Sequence, residues 1–145
     1  MQVINSFWGE YRFLSNFHPC VLNINDYVFP SVEHAYQAAK SLDPVMWDMF
    51  LDKGPQLTRT AAQAKRLGKN LVIRPDWDEI KIDVMRELIE IKFTNPQLRQ
   101  LLVNTGDAQL VEGNNWGDTF WGVCRGYGHN HLGQLLMQER SKWNA

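Results

Sequence analysis

The chain has 145 residues, 44% of them hydrophobic and 21% charged, with a formal net charge of -1. This composition fits one globular domain with a sizeable core and excludes disorder over most of the length. Near-neutrality excludes a general polyanion binder, which needs a basic field, and leaves room for a local pocket holding one or two phosphates.

Val21 to Phe29 reads as a hairpin with its turn near Asn25-Asp26. Pro30 stops the second strand, and Ser31 can cap a helix running to about Lys40. Asp43-Pro44 is a cap followed by proline at the first helical position, so a short helix to about Asp52 follows, broken at Gly54-Pro55. Thr58 or Thr60 opens the next helix, which Gly68 should end. Asp76, with Glu79 at capping-box spacing, starts the longest helix, and Ile80, Val84, Leu88 and Ile91 keep helical apolar spacing to Phe93. Asn95-Pro96 restarts a helix that stops before Gly106. Leu110-Val111 and Trp121 to Cys124 read as short buried strands, and Asn130 caps a last helix through Arg140. The expected fold class is therefore α+β: one domain over residues 1–145, mainly helical with a few short strands.

Five segments carry more polar and aromatic groups than folding requires. The first, Gly9 to Phe17, places Ser15-Asn16 between Phe13 and Phe17; it reads equally as a turn under the core and as a ligand-facing loop. In the second, Ser31 to Lys40, Glu33, Tyr36 or Gln37, and Lys40 recur on one helix face. Seven residues of helix rise ~10 Å, so Glu33 and Lys40 should border a cavity at different depths rather than pair. The competing reading is a solvated face. The third, Leu110 to Gly122, holds Glu112, Asn114, Asp118, Trp116 and Trp121 in a loop, and loops held by scaffolds commonly carry sites. Its alternative is a turn with Asp118 capping backbone groups and both indoles in the core. The fourth, Gly126 to Gly133, offers glycines before a helix start, a weak phosphate signal. The fifth, Lys65-Arg66, is more simply a solvated helix end.

Two cysteines, Cys20 and Cys124, are too few for a disulfide framework and form no CxxC pair, so reduced buried thiols are expected. Of the four histidines only His129 and His131 are close, and no structural-zinc spacing, HExxH or GxSxG appears. No metal or cofactor is expected. No apolar run approaches the ~20 residues that span a bilayer, and Met1 to Gly9 lacks the marks of a signal peptide. A cytoplasmic protein without membrane contact is the expectation.

Together these segments resemble the NADAR (YbiA-like) family. The marks occur in order: Phe13-Leu-Ser-Asn-Phe17, Ser31-Val-Glu-His-Ala-Tyr-Gln-Ala-Ala-Lys40, Leu110-Val-Glu112 with Asn115-Trp-Gly-Asp118 and Trp121-Gly122, then Gly128-His-Asn130 and Leu132-Gly133 before Arg140. They span nearly the whole chain. One departure is His131, where many relatives carry an apolar residue.

The resemblance implies an N-glycosidase that cuts a ribosyl C1–N bond. The substrate would be ADP-ribose on a guanine of DNA, RNA or nucleotides, or a phosphorylated riboflavin-pathway intermediate. Such cleavage builds positive charge on the sugar, which carboxylates and aromatic faces stabilise. Glu33 and Asp118 are the expected acid/base and electrostatic groups. Lys40 is either a charged donor or a nucleophile that traps the opened sugar as a Schiff base. Arg12, Ser15, Asn16, Phe17, Tyr36, Trp116, Trp121, Gly122 and Asn130 are the expected substrate-binding residues. A non-catalytic module that binds ADP-ribose or another nucleotide is the main alternative, and a tryptophan-rich interaction protein is the next.

Overall fold

The computed structural model describes residues 2–53 and 58–144, so the expected break at Gly54-Pro55 lies outside the described residues. The chain forms an α+β structure of helices and short strand pairs. Its contacts divide it into two units, Asn16–Lys92 and the combination of Met1–Ser15 with Phe93–Ala145.

The Asn16–Lys92 unit begins with the hairpin of β2 (Leu22–Ile24) and β3 (Tyr27–Phe29), following β1 (Val3–Ile4) earlier in the chain. Leu22 pairs with Phe29 and Ile24 with Tyr27, leaving a two-residue turn at Asn25 and Asp26. Both turn residues have positive φ, at 50° and 70°. This is the twist-matched geometry that Asn and Asp tolerate.

Helix α1 (Val32–Ala39) is the unit's axis. Its cap Ser31 accepts the His34 amide, as the sequence predicts, and every residue from Val32 to Ala38 is buried. A helix buried on all sides needs neighbours all round. They are α3 (Ala61–Gly68), the long α4 (Trp77–Lys92), α2 (Pro44–Asp48) and the hairpin. Two buried histidine contacts tie α1 down. His34 Nε2 lies 2.5 Å from the Thr58 carbonyl and Nδ1 lies 2.6 Å from Ser31 Oγ. Burial lowers the His34 pKa against the Thr58 carbonyl. The ring is therefore neutral, with Nε2–H donating to Thr58 and Nδ1 accepting from Ser31.

Two sequence expectations change here. Helix α2 stops at Asp48, four residues early. Tertiary bonds take over, because Asp52 N–H donates to Val28 in β3 and the Thr58 hydroxyl donates to the Met49 carbonyl. Gly68 is the last residue of α3 but does not act as a left-handed cap. A Cβ there would overlap the Gln37 side chain, so the glycine is a packing requirement. The start of α3 is a full capping box between Thr60 and Gln63. Asp76, before α4, gives its carboxylate to Arg74 at 2.7 Å.

In the other unit β1 pairs in parallel with β4 (Gln109–Leu110), and β5 (Gly113–Asn114) pairs in parallel with β6 (Val123–Cys124). A 3-10 helix spans Gly9–Leu14, α5 spans Pro96–Val103 and α6 spans His131–Ser141. Leu110, Leu132, Leu135 and Leu136 are buried with Ile4, Phe7, Phe13 and Leu102. Each such side chain contributes about 1.5–3 kcal/mol of transfer free energy. Strand β6 is shorter than the expected Trp121–Cys124 run, since Trp121 N–H is already bound to Asp118 Oδ1 at 2.9 Å. The sequence reading does not contain β1, β5 or the 3-10 helix; two-residue strands leave no periodicity to detect.

Lys92 closes α4 and is 2% exposed. Burial pushes its ammonium down to about 8, with the Cys20 sulfur opposing. Burial likewise raises the Cys20 thiol, against Lys92 and the Val32 N–H. Below about pH 8 the lysine is charged folded and unfolded, and the folded chain bears the full cost of burying it. Above its unfolded value of 10.5 it is neutral in both states and that cost vanishes. In a Cys20→Ala background, where loss of the opposing sulfur moves the lower limit below about 8, the lysine-bearing chain should therefore gain stability relative to Lys92→Met from that limit up to 10.5, by on the order of 3 kcal/mol or more. Urea melts across that range measure the gain, and parallel stability curves would contradict it.

Candidate active site

On α1, the buried Glu33 accepts a 2.7 Å hydrogen bond from Gln37 Nε2, one turn on. Its own backbone N–H donates to the Asn16 carbonyl at 3.1 Å, joining the Ser-Asn turn to the helix start. Tyr36 packs against Trp77 with ring centroids 5.1 Å apart, and Lys40 Nζ lies 5.5 Å from the Tyr36 ring centre. The Lys40 pKa is lowered, first by burial and then by the charges of Lys65 and Lys81, with Glu33 opposing. Glu33 and Lys40 therefore sense each other electrostatically although a direct pair is not expected at their spacing, and Gln37 is the residue between them. The Lys40 carbonyl accepts from Arg74 N–H at 2.8 Å, fixing the helix end. Phe17 is exposed, with Lys65 Nζ 6.0 Å from its ring centre. Asn16 directs Nδ2 at Met85 Sδ, 3.6 Å away.

In the other unit, a side-chain lattice stands in for sheet. Asn114 donates to the Asp118 carbonyl at 2.9 Å and accepts the Asp118 amide at 3.0 Å. Asp118 Oδ1 in turn accepts the amides of Phe120 and Trp121. Its other oxygen takes no hydrogen bond from the described residues. Gly122 lies so close to Glu112 and Asn114 that any Cβ would overlap them. Trp121 stands edge-on to Phe120 at 4.8 Å, and His131 lies 4.5 Å from Phe120, so the family departure at His131 joins an aromatic cluster. Trp116 is 54% exposed and Arg12 is exposed; Ser15 is half-buried, its amide donating to the Arg12 carbonyl.

Asn130 corrects an expectation. It precedes α6, but at φ 55° it makes no side-chain cap bond. Its amide instead donates to the Leu110 carbonyl and accepts the Glu112 N–H, both at 3.0 Å. The side chain thus holds β4 rather than the helix end.

Asn16, Phe17, Glu33, Tyr36 and Lys40 belong to the Asn16–Lys92 unit; Arg12, Ser15, Trp116, Asp118, Trp121, Gly122 and Asn130 belong to the other. The sequence places Gln37, Glu112 and Asn114 in the candidate segments without assigning any of them a role. The signals were present as four-residue spacings, Glu33 to Gln37 and Asn114 to Asp118, which bring side chains together. No group of three or more His, Cys, Asp or Glu residues suited to a metal ion occurs among the described residues. None of the described helices is long and apolar enough to cross a membrane.

The α+β scaffold carries a buried acid, a buried amide and a half-buried amine of lowered pKa on one helix, a cluster that marks a candidate enzyme site. The NADAR domain model matches residues 6–144, and the chain belongs to the NADAR family. It is 37% identical to an N-glycosidase of Nostoc punctiforme, over 93% of this chain and 87% of that protein. It is 36% identical to the chloroplastic riboflavin biosynthesis protein PYRR of Zea mays over 93% of its own length, but spans only 24% of that protein. The solution structure of the E. coli protein YbiA superposes with a TM-score of 0.83 at 32% identity, covering 99% of this chain and 87% of that one.

Two outcomes follow from the geometry. Asn130→Ala leaves a carbonyl and an amide without their partner and should cost about 1–3 kcal/mol for each group that stays buried. Asn130→Gly, which removes the bonds without the left-handed strain, should cost less; equal urea midpoints for wild type and both variants would refute the clamp. Because Glu33 raises the Lys40 pKa, Glu33→Gln should lower it further. NMR titration of isotope-labelled lysine side chains reads that shift, and an upward move would refute the coupling.

Proposed function

We propose that this chain hydrolyses the bond between ribosyl C1 and a nitrogen of the base in a phosphorylated ribosyl substrate. Membership of the NADAR family and relatives named N-glycosidases make it a hydrolase of N-glycosyl bonds. The match over residues 6–144 supports reading both units as one NADAR domain. The observation that carries the substrate reading is Lys40. It is a half-buried amine with a depressed pKa, under the charges of Glu33, Lys65 and Lys81. An anionic phosphate is the natural guest among three ammonium groups, and a lysine made less basic is the natural nucleophile.

The chemistry then runs as follows. Lys40 Nζ attacks C1, and the bond to the departing nitrogen breaks with its electron pair leaving on that nitrogen. A proton supplied by an acid neutralises the departing ring. Opening of the sugar gives an imine between Nζ and C1, and water hydrolyses it to free lysine and the ribose product. Glu33, held by Gln37, is the acid/base partner at the lysine. Asp118, whose Oδ1 accepts the amides of Phe120 and Trp121, is the second carboxylate to test by substitution. Asn16 and Tyr36, on the same unit as Lys40, are assigned to substrate binding.

Two relatives are named for riboflavin biosynthesis, which supports a phosphorylated pyrimidine intermediate of that pathway as the substrate. ADP-ribosylated guanine, free or in a DNA or RNA strand, presents the same C1–N bond and is the second substrate class to assay. The test incubates the protein with both and identifies products by mass. Release of the free ring from one class is expected, with Glu33→Gln and Lys40→Ala each lowering kcat by about a hundredfold or more. Borohydride during turnover should fix sugar to Lys40. Saturable binding with no product would leave a binding module instead, and full activity without Lys40 would end the imine route.

A further inference from the structure

The unit formed by Met1–Ser15 with Phe93–Ala145 contains an open cavity of about 670 Å³ that the proposed chemistry does not use. Trp8, Trp116, Asn115 and Arg125 are among its lining residues. Its volume lies in the range of small-molecule and cofactor sites.

Three features of this cleft are costly unless something occupies it. Trp8 follows the buried Phe7 in extended backbone, so the alternation turns it outward, and it is 65% exposed. Trp116 is 54% exposed on the same cavity. Two exposed indoles on one hollow present flat apolar surface to water. Arg125 is the third feature. The amides and carbonyls of Cys124 and Tyr127 bond to each other at 2.8 and 3.1 Å, closing a two-residue turn. Arg125 and Gly126 occupy that turn with φ of 54° and 80°. Asn-Gly is the favoured pair for such a turn, and arginine is strained there. Strain at an exposed position gives reason to look for a function. Arg125 has no carboxylate partner among the described residues, and none of the cavity's lining residues is acidic.

A flat aromatic surface with one cation at its edge matches a ligand that is planar at one end and anionic at the other. We propose that this cleft binds a nucleotide, its base against Trp8 and Trp116 and its phosphate at Arg125. The ligand class follows from stacking and charge, and does not depend on the proposed hydrolysis. The nucleotide can arrive free or as one position in a single strand, since every base offers a face for stacking.

Tryptophan fluorescence and amide NMR shifts on the full chain test this with four probes: guanosine 5′-monophosphate, guanosine, ribose 5-phosphate, and a short single-stranded oligothymidylate. The monophosphate should bind saturably, guanosine more weakly, and ribose 5-phosphate without effect on the Trp8 indole. Tighter binding of the oligonucleotide than of the monophosphate identifies a strand as the source, and the reverse identifies a free nucleotide. Trp8→Ala should weaken binding about tenfold or more. Arg125→Gly, which suits the turn and keeps the fold, should remove the preference for monophosphate over guanosine. Lys40→Ala should bind as wild type. The proposal is overturned if neither nucleotide probe binds saturably, or if binding survives Trp8→Ala and Arg125→Gly unchanged but is lost in Lys40→Ala, which would assign it to the hydrolytic site.

Discussion

Helix α1 is buried with its polar side chains largely bonded to one another and to neighbouring segments, Gln37 Oε1 being a buried oxygen without a hydrogen-bond partner among the described residues. Seven successive residues, Val32 to Ala38, are withdrawn from solvent, and Glu33, His34 and Gln37 are among them. An unbonded polar group in such a place costs several kcal/mol, and an unpaired charge more. His34 is satisfied by Ser31 and by the Thr58 carbonyl; Glu33 is held by Gln37 through its side chain and by Asn16 through its backbone. Each bond recruits a distant segment: the Thr58 region before α3, the Ser-Asn turn before the hairpin, and Gly68 beside Gln37. The bonds that bury the helix are the same ones that aim its carboxylate, so architecture and candidate chemistry share residues on this unit.

The second unit solves a different problem. Its strands are two residues long, too short for ladder bonds to define a sheet. Side-chain amides do that work. Asn130 bridges Leu110 at the end of β4 to Glu112, two residues on, and Asn114 braces the loop at Asp118 from both sides. Gly122 lets Glu112 and Asn114 approach the backbone where any larger residue would collide. The Asp118 loop is consequently stiff despite lacking regular structure. A carboxylate held by two backbone amides on one oxygen presents the other in a fixed direction, as preorganised electrostatics requires.

How much of this was legible in sequence depended on the range of the interactions. The hairpin turn, the Ser31, Asp43, Thr60 and Asn95 caps, and the helix spans are local, decided within four residues, and were readable. The end of α2 was not, because it is set by partners in β3 and at Thr58. Asn130 looked like a cap because it precedes a helix, but its bonds go to strand β4, 20 residues back in sequence. The polar face of α1 read equally as solvated or as site, since burial is a tertiary property that spacing cannot report.

The two depressed lysines of the Asn16–Lys92 unit show why burial alone does not make a nucleophile. Lys92 is almost wholly enclosed, and its ammonium is pushed down to about 8 with only the Cys20 sulfur opposing. No substrate can reach it without opening the core. Lys40 sits at the end of α1, half-buried, where solvent and solutes have access. Its depression comes from partial burial together with the repulsion of Lys65 and Lys81, and Glu33 holds it back. That balance can change during a reaction cycle. Protonation of Glu33 favours the neutral amine, and an anion near Lys65 and Lys81 would favour the charged one. Burial is the largest cause of the shift at both lysines, but only at Lys40 is it joined by charged groups that can themselves change state, so its protonation can respond to its surroundings while that of Lys92 is fixed by the fold.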